Sequence, residues 1–200
     1  LVPIKTPMTE YNTAGQIVRQ KTMFDMGRID SEKMYNNIQK LEWRNINDGK
    51  IYIDEQTRKN AISLRNNMLR LAETFADEKN FEKAEEVLDL SLEKMPIEDF
   101  DHYSIALGYP EIYYQIGEQE KARKTAETLI EILQQKMRWY STFDISYGNI
   151  IVSELQNIMY MYRNGILAQV QENDSDPEYF KKLETDLKNS LSLFNHLLQE

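Results

Sequence analysis

The sequence predicts an all-α protein in which helical hairpins stack into a right-handed αα superhelix, preceded by an irregular N-terminal arm. Three observations support this expectation. Seven Gly and five Pro among 200 residues supply few turns, which favours long helices over a sheet of many strands. Apolar residues recur with helical spacing from about residue 55 to the end of the chain. Small residues also recur at intervals that suit the contact between two paired helices.

The composition excludes several classes of function. The chain has no Cys, which excludes disulfide frameworks, zinc sites built on thiolates, iron–sulfur clusters and thiol catalysis. The formal net charge is −9, with a net of −11 in residues 60–200. This acidity argues against nucleic acid or an anionic membrane surface as the main partner. We expect most of the acidic side chains to lie on a solvated face.

Targeting signals are not evident in the sequence. The chain begins at Leu1 without Met, and it has no apolar run of the roughly 18 residues that a membrane span needs. We therefore expect it to be part of a longer protein whose export signal or membrane anchor lies outside these residues. Direct membrane insertion by this segment is not expected.

The predicted arm comprises residues 1–54, and we expect it to pack on a helical domain of residues 55–200. Within residues 1–30, Pro and Gly interrupt short apolar pairs, so neither helical nor strand periodicity develops. This pattern indicates irregular structure.

One short helix is predicted within the arm. Asp30 or Ser31 is placed to cap it, and its apolar side chains keep helical spacing up to Trp43. An extended stretch at residues 51–53 follows, after which the carboxylate of Asp54 is expected to cap the first long helix.

Six helices are predicted in the helical domain, at about 55–77, 81–95, 102–116, 119–140, 145–170 and 177–199. The last has the strongest start signal, because Asp176 can cap it, Pro177 occupies the first helical position and Glu178 lies in the positive first turn. Its apolar stripe consists of Phe180, Leu183, Leu187, Leu191, Phe194 and Leu198.

The first two long helices match the tetratricopeptide pattern, a helix–turn–helix of 34 residues. With Arg65 at the first position, the unit spans about residues 65–98, and its packing positions are filled by Met68, Leu71, Ala72, Phe75, Phe81, Ala84, Leu88 and Ser91, with Pro96 as the closing proline. Ala84 and Ser91 are small where the two backbones approach closely. The alternative is a plain helical bundle.

A second unit is predicted at about residues 103–136. Gly117 occupies the turn between its two helices, and Ala122 occupies the small position of its second helix. Its first helix presents Ala106 and Tyr113 at packing positions.

The second and third hairpins depart from the repeat. Ala84 and Ala122 are 38 residues apart, so insertion of additional residues is expected in the connection 98–101. Pro110 is expected to kink the first helix of the second unit or to make it start late. The hairpin 145–199 is too long and has no small-residue positions, so we expect it to cap the stack.

Several short segments resemble one protein family in both order and spacing. They are Leu1-Val2-Pro3-Ile4, Ile29-Asp30, Met34-Tyr35-Asn36-Asn37, Lys40-Leu41-Glu42-Trp43, Ile51-Tyr52-Ile53-Asp54-Glu55, Leu64-Arg65, Arg70-Leu71-Ala72, Tyr113-Tyr114 and Gly117-Glu118. The family consists of large multi-span membrane proteins typical of Bacteroidetes, formerly of unknown function, whose membrane region is similar to protein O-mannosyltransferases. The chain departs from the family at Arg44, where the family has Gly, and the resemblance ends near residue 140.

The resemblance implies that this chain is the C-terminal tetratricopeptide-like domain of such a membrane-embedded glycosyltransferase, on the periplasmic side of the inner membrane. It implies a non-catalytic interaction or scaffold domain, whose partner is the parent's own membrane region or a periplasmic protein. Catalytic residues of such enzymes would lie outside this chain. The alternatives are a free-standing peptide-binding adaptor and an enzyme in its own right.

The residues themselves suggest no catalytic, cofactor-binding or metal-binding site. Glu98, Asp99, Asp101 and His102 are the one cluster of metal-ligand types, but they have neither the spacing of a calcium loop nor the Cys and His of structural zinc. We expect a solvated loop there, with Asp101 capping helix 102–116. His196 near the C-terminus is expected to serve the helix dipole rather than catalysis.

Two surfaces are candidates for binding. Aromatic residues concentrate near the third hairpin, where core packing or a binding patch would explain Trp139, Tyr140, Tyr147, Tyr160 and Tyr162. The concave face of the repeats is the main candidate for a peptide groove, and the phase set by Arg65 places on it Asn66, Leu69, Arg70, Glu73, Asp77, Glu111 and Tyr114. Because acidic residues outnumber basic ones in this set, we expect a neutral or basic peptide, with Glu73 and Glu111 as its charge partners.

Overall fold

The computed structural model describes residues 9–11, 17–20, 29–43, 52–100 and 102–195. The chain divides into two compact units, residues 1–42 and 43–200. In the first unit, strand β1 (Thr9–Tyr11) pairs antiparallel with strand β2 (Ile17–Gln20), and Glu10 lies opposite Arg19. This short ribbon differs from the irregular arm that the sequence predicts, because runs of three and four residues are too short to show strand periodicity.

The first unit also contains helix α1 (Ser31–Ile38). The carboxylate of Asp30 accepts a hydrogen bond from the backbone N–H of Lys33 at 3.0 Å, which confirms the predicted cap. The helix ends at Ile38 and not near Trp43, because Leu41 is exposed and no apolar burial continues the helical stripe.

The second unit is helical in all of its described regular elements. Its helices are α2 (Glu55–Asp77), α3 (Phe81–Lys94), α4 (Ile97–Phe100), α5 (Tyr103–Ala106), α6 (Gly108–Gln115), α7 (Gln119–Tyr140), α8 (Gly148–Tyr160), α9 (Ala168–Asn173) and α10 (Pro177–Ser192). A 3₁₀ turn at Ile145–Tyr147 precedes α8, and a π-helical segment at Met161–Leu167 joins α8 to α9. The predicted all-α class is confirmed.

Helices α2 and α3 pack against each other as the first hairpin. The side chains that fill it from the predicted repeat positions are fully buried: Met68, Leu71, Ala72, Phe75, Ala84, Leu88 and Ser91. The prediction for Phe81 is wrong, since this residue is 44% exposed. Phe81 is the first residue of α3, and the buried face of this helix begins only at Ala84.

The same turn connects the helices of the first two hairpins. Lys79 and Gly117 both have positive φ values, 61° and 88°. In each case the next N–H bonds back across the helix end, from Asn80 to the carbonyl of Phe75 and from Glu118 to the carbonyl of Tyr113, each at 2.8 Å. This is the Schellman arrangement of helix C-termini, and it recurs at corresponding positions of the two hairpins.

The first helix of the second hairpin is broken, which corrects the predicted continuous helix 102–116. Pro110 lies in the first turn of α6, so the helix starts late, as one of the two predicted alternatives had it. Pro110 has no N–H for the carbonyl of Ala106, and its ring would crowd that carbonyl in a continuous helix. The connection that we predicted to be a loop holds α4, and its residues Ile97 and Phe100 are buried.

The third hairpin runs from α8 to α10. The predicted helix 145–170 extends to Asn173 and changes from α to π geometry over Met161–Leu167. The tyrosine hydroxyl of Tyr162 donates to the carbonyl of Leu183 at 3.1 Å, which links the two sides of the hairpin. Leu183, Leu187 and Phe194 of the predicted stripe are buried, whereas Leu198 and His196 lie outside the described residues.

The third hairpin approaches the second hairpin through a small residue. Gly165 is buried in the π-helical segment, and a Cβ added to it would lie 2.7 Å from Cδ1 of Leu107. The close approach of the third hairpin to the second therefore depends on a glycine. In the part of the chain that the structure describes, no helix combines the length and the apolar character needed to cross a lipid bilayer.

Candidate functional site

Helix α2 and the broken helix α5–α6 enclose a cleft of about 430 Å³. We call it the α2–α6 cleft. From the set of predicted groove residues, the structure brings five together along its walls: Asn66, Leu69, Arg70, Glu73 and Glu111. Helical spacing alone places the first four on one face of α2, but the packing of α6 against α2 is needed to bring Glu111 opposite them.

The other two predicted residues are engaged elsewhere. Asp77 accepts a hydrogen bond at 3.1 Å from the side-chain amide of Gln115, a residue that lines the cleft, so it supports the cleft at its end. Tyr114 lies outside the lining residues of the cleft, and its hydroxyl donates to Asp174 at 2.8 Å. Glu111 on the same helix does line the cleft, so what distinguishes Tyr114 is its hydrogen bond to Asp174 and not a different phase of α6.

The floor of the α2–α6 cleft is apolar. Leu69 and Ile112 are 7% and 6% exposed, and both line the cleft. Gly108 also lines the cleft, and a Cβ at this position would touch the Leu69 side chain at an ordinary contact distance of 3.5 Å. Ile105 and Leu107 extend this apolar lining. An aliphatic side chain of a ligand would be buried against these residues.

The rim of the cleft carries opposite charges. Glu73 and Glu111 are exposed and acidic, while Arg70 is half-buried between the apolar floor and solvent. The excess of carboxylates favours a ligand with a basic side chain. Neutral hydrogen-bonding groups are also available on the walls, from Asn66, Ser104 and Gln115.

Six of the lining residues were not predicted from the sequence: Ser104, Ile105, Leu107, Gly108, Ile112 and Gln115. They belong to the broken helix, whose phase could not be obtained from a helical wheel drawn through residues 102–116. The signal that could have found them is Pro110, since a helix that starts near it presents a different face to α2.

A second cluster of polar side chains is structural. The side chain of Asp174 is fully buried and accepts hydrogen bonds from Arg123 Nε at 2.7 Å and Nη2 at 2.5 Å, Tyr114 at 2.8 Å and Gln119 at 2.9 Å. The Arg123 guanidinium also stacks over the ring of Tyr179, 4.5 Å from its centroid. We call this group the Asp174 joint.

The surroundings of Asp174 change its acidity. The hydrogen bonds from Arg123 hold the pKa of the Asp174 carboxyl at about 2, below its ordinary value of 3.8. The same pairing raises the pKa of Arg123. An ionised carboxylate with all of these donors is a tie between helices and not a proton donor for catalysis.

The predicted aromatic cluster divides into a core part and a surface part. Tyr162 is fully buried. Trp139, Tyr147 and Tyr160 are more than half exposed. Phe143 connects two of them, with ring centroids 4.7 Å from Trp139 and 5.7 Å from Tyr147. The turn after α7 therefore presents a row of contacting aromatic rings to solvent.

The candidate metal cluster on the α3–α5 connection is only partly described. Glu98 and Asp99 are exposed on α4, and Asp101 lies outside the described residues. His102 has a positive φ of 54° at the start of α5 and makes no side-chain cap bond. Within the described ranges, no group of three or more His, Asp or Glu side chains is arranged to hold a metal ion.

Comparison of the chain with protein-family models, with curated proteins and with solved structures finds no significant match. The candidate site is a cleft with an apolar floor, amide and hydroxyl groups on its walls, and an acidic rim.

Proposed function

We propose that residues 43–200 form a tetratricopeptide-like interaction module that holds an extended polypeptide segment in the α2–α6 cleft and has no catalytic activity of its own. Two features support the repeat assignment. The predicted packing positions of the first repeat, residues 65–98, are fully buried apart from Phe81 and the half-buried Pro96. The turns at Lys79 and Gly117 have the same hydrogen bonding and lie 38 residues apart, as do Ala84 and Ala122.

The observation that carries the functional proposal is the convergence of the predicted groove residues in one cleft. Five positions chosen from the repeat phase line a single cleft of about 430 Å³, together with six further residues of the α5–α6 segment. A cleft of this volume lies within the range that binds ligands in proteins, roughly 300–1,000 Å³.

The charge of the rim defines the ligand further. Glu73 and Glu111 would pair with a basic side chain of the ligand, while the apolar floor would bury an adjacent aliphatic one. We therefore propose a peptide with an aliphatic residue next to Lys or Arg. An acidic peptide would meet like charges on both sides of the cleft.

The wider context remains a proposal that rests on the family resemblance. In it, the module is the extracytoplasmic C-terminal part of a membrane-embedded, glycosyltransferase-like protein on the periplasmic side, and its ligand is a segment of that parent or of a periplasmic protein. The alternative is a free-standing peptide-binding adaptor. Reading the gene upstream of Leu1 separates these two, because the first requires a series of apolar membrane spans there.

Charge reversal tests the binding site. Fluorescence anisotropy would compare a labelled peptide of repeated Gly-Leu-Arg triplets with its Gly-Leu-Glu counterpart. We expect the wild-type protein to bind the Arg peptide more tightly. The double variant Glu73→Lys/Glu111→Lys should weaken that binding by roughly tenfold, since each partly exposed ion pair contributes up to about 1 kcal/mol.

A matched control makes the same change in net charge at two positions away from the cleft. Glu82 and Glu120 are exposed on α3 and α7, and the double variant Glu82→Lys/Glu120→Lys should leave the affinity within about twofold at moderate salt. Tighter binding of the Glu peptide by the wild type, lost on Arg70→Ala, would show that the proposed polarity of the cleft is wrong.

A further inference from the structure

The wall of the α2–α6 cleft at Leu107 is held by the third hairpin. Leu107 occupies the break between α5 and α6, so its position is not fixed by a continuous helix on either side. Its backbone carbonyl accepts a hydrogen bond from the side-chain amide of Gln169 at 3.0 Å. Gln169 belongs to α9, whereas the lining residues of the cleft belong to α2, α5, α6 and Leu107 itself.

The Leu107 side chain is held by the same helical run. Both of its terminal methyl groups lie against Gly165, and a Cβ added there would come within 2.7 and 2.8 Å of them. Carbon atoms in contact normally stay roughly 3.5–4.0 Å apart, so any side chain at this position forces Leu107 to move. Leucine at a helix break can move by changing rotamer, at a cost far below that of displacing backbone.

The geometry of the helix around Gly165 is itself unusual. The segment Met161–Leu167 is π-helical over seven residues, and such segments are rare and concentrate at functional positions. Gly165 and Gln169 are four residues apart along this helical run, and both contact Leu107. A departure from ideal α-helical geometry, such as this segment, is expected where a function depends on it.

We infer that Gly165 and Gln169 are positioning residues that set the cleft wall at Leu107, and so determine which aliphatic side chain of the bound peptide the cleft accepts. The inference rests on the proposed peptide-binding function. It adds that the third hairpin, which we predicted only as a cap, controls the specificity of the site through one residue.

Substitution of Gly165 tests this inference against a matched glycine. Gly165→Ala should push Leu107 toward the cleft and narrow its apolar floor, whereas Gly148→Ala adds a methyl group in open space at the start of α8. We expect Gly165→Ala to weaken binding of the Gly-Leu-Arg peptide by roughly tenfold, the usual effect of a misfitted aliphatic group. Binding of a Gly-Ala-Arg peptide should change by less than about twofold, because alanine does not reach the floor.

A second variant and folding controls distinguish failure of this inference from failure of the proposed function. Gln169→Leu, which removes the bond to the Leu107 carbonyl at similar size, should also lower affinity for the Leu peptide more than for the Ala peptide. Circular dichroism and thermal unfolding of each variant establish that it folds, and methyl NMR of Leu107 reports whether its environment changes. If the wild type binds no basic peptide, the proposed function fails and this inference with it. If the wild type binds but Gly165→Ala affects both peptides equally or neither, only the present inference is overturned.

Discussion

A buried guanidinium lies inside the first hairpin. Arg65 is 2% exposed, and its Nη2 donates to the carbonyls of Met95 at 2.8 Å and Pro96 at 3.2 Å. These carbonyls follow the C-terminus of α3, where the helix dipole favours a cation. The guanidinium also lies 5.9 Å from the ring centroid of Phe100. One side chain from α2 thus fixes the chain where α3 ends and α4 begins.

Replacing Arg65 tests this role. We expect Arg65→Leu to lower the free energy of unfolding by about 2–3 kcal/mol, because the two buried carbonyls lose their donor. Urea unfolding followed by circular dichroism measures the change. Arg138→Leu, at an exposed position in the last turn of α7, should change stability by less than about 0.5 kcal/mol. Equal effects of the two substitutions would show that the Arg65 bonds contribute little.

For single residues, the sequence could predict their positions in the repeat but not their hydrogen-bond partners. The repeat phase placed Arg65 at the first position and Ala84 at the close contact of two helices, and the burial of Ala84 is confirmed. It could not show that Arg65 turns inward, because the carbonyls that it binds belong to a connection of irregular length. Tyr114 was predicted to face the groove. Its hydroxyl instead binds Asp174, which lies 60 positions later in the chain.

The turns that follow α2 and α6 are the clearest repeated element of residues 43–200. Lys79 and Gly117 occupy the same left-handed position after α2 and α6. Glycine adopts this conformation without strain, whereas a residue with a Cβ is disfavoured there. One hairpin thus has the favoured residue and the other does not.

An exchange of these two residues tests their equivalence. Lys79→Gly should raise the free energy of unfolding by up to about 1 kcal/mol, since relief of strain exceeds the added entropy of the unfolded chain. Gly117→Lys should lower it by about 1–2 kcal/mol, because open space surrounds Gly117 and only the backbone is strained. Chemical unfolding of both variants checks the two signs. Destabilisation by Lys79→Gly would mean that the Lys79 side chain itself stabilises the turn.

Helices with a continuous apolar stripe were predictable in full, and broken helices only in part. The bounds of α2 and α7 agree with the prediction, because both helices have a sustained helical pattern and a turn signal after or before them. The break before α6 could be anticipated from Pro110, whereas nothing in the sequence marked the π-helical segment or its contact with Leu107 of the second hairpin. Such tertiary contacts leave no periodic signal in either segment alone.

At the scale of the whole molecule, the Asp174 joint connects the second hairpin to the third. Tyr114 lies on α6, Arg123 on α7 and Asp174 between α9 and α10, so one carboxylate ties the ends of four helices. The candidate site depends on this order, because the cleft wall at Leu107 is held by the helix that ends at this joint. The joint could not be predicted from the sequence, since its members are far apart along the chain.

The joint should make stability depend on acid pH. The pKa of Asp174 is lowered in the folded state to about 2 from 3.8, so its stabilisation is complete above about pH 4 and is lost as the pH falls toward 2. This contribution is about 2 kcal/mol, since one pKa unit corresponds to about 1.4 kcal/mol.

The variant Asp174→Asn is expected to be less stable than the wild type at pH 7, with a difference that shrinks between pH 4 and 2. Urea unfolding across this range measures the difference. Glu172→Gln, a change at an exposed residue of α9, serves as the control and should follow the wild-type profile. A stability difference for Asp174→Asn that stays constant from pH 7 to 2 would contradict the assigned role of the carboxylate.

The two connections of the third hairpin differ in their tolerance of added sequence. The turn around Thr142 is exposed and is closed by local bonds to the end of α7, such as that from the Thr142 hydroxyl to the carbonyl of Trp139 at 2.7 Å. The connection through Asp174 is anchored to two other helices, α6 and α7, by a buried side chain. An epitope or reporter domain can therefore be spliced in after Thr142, whereas the same splice at Asp174 would separate the third hairpin from the stack.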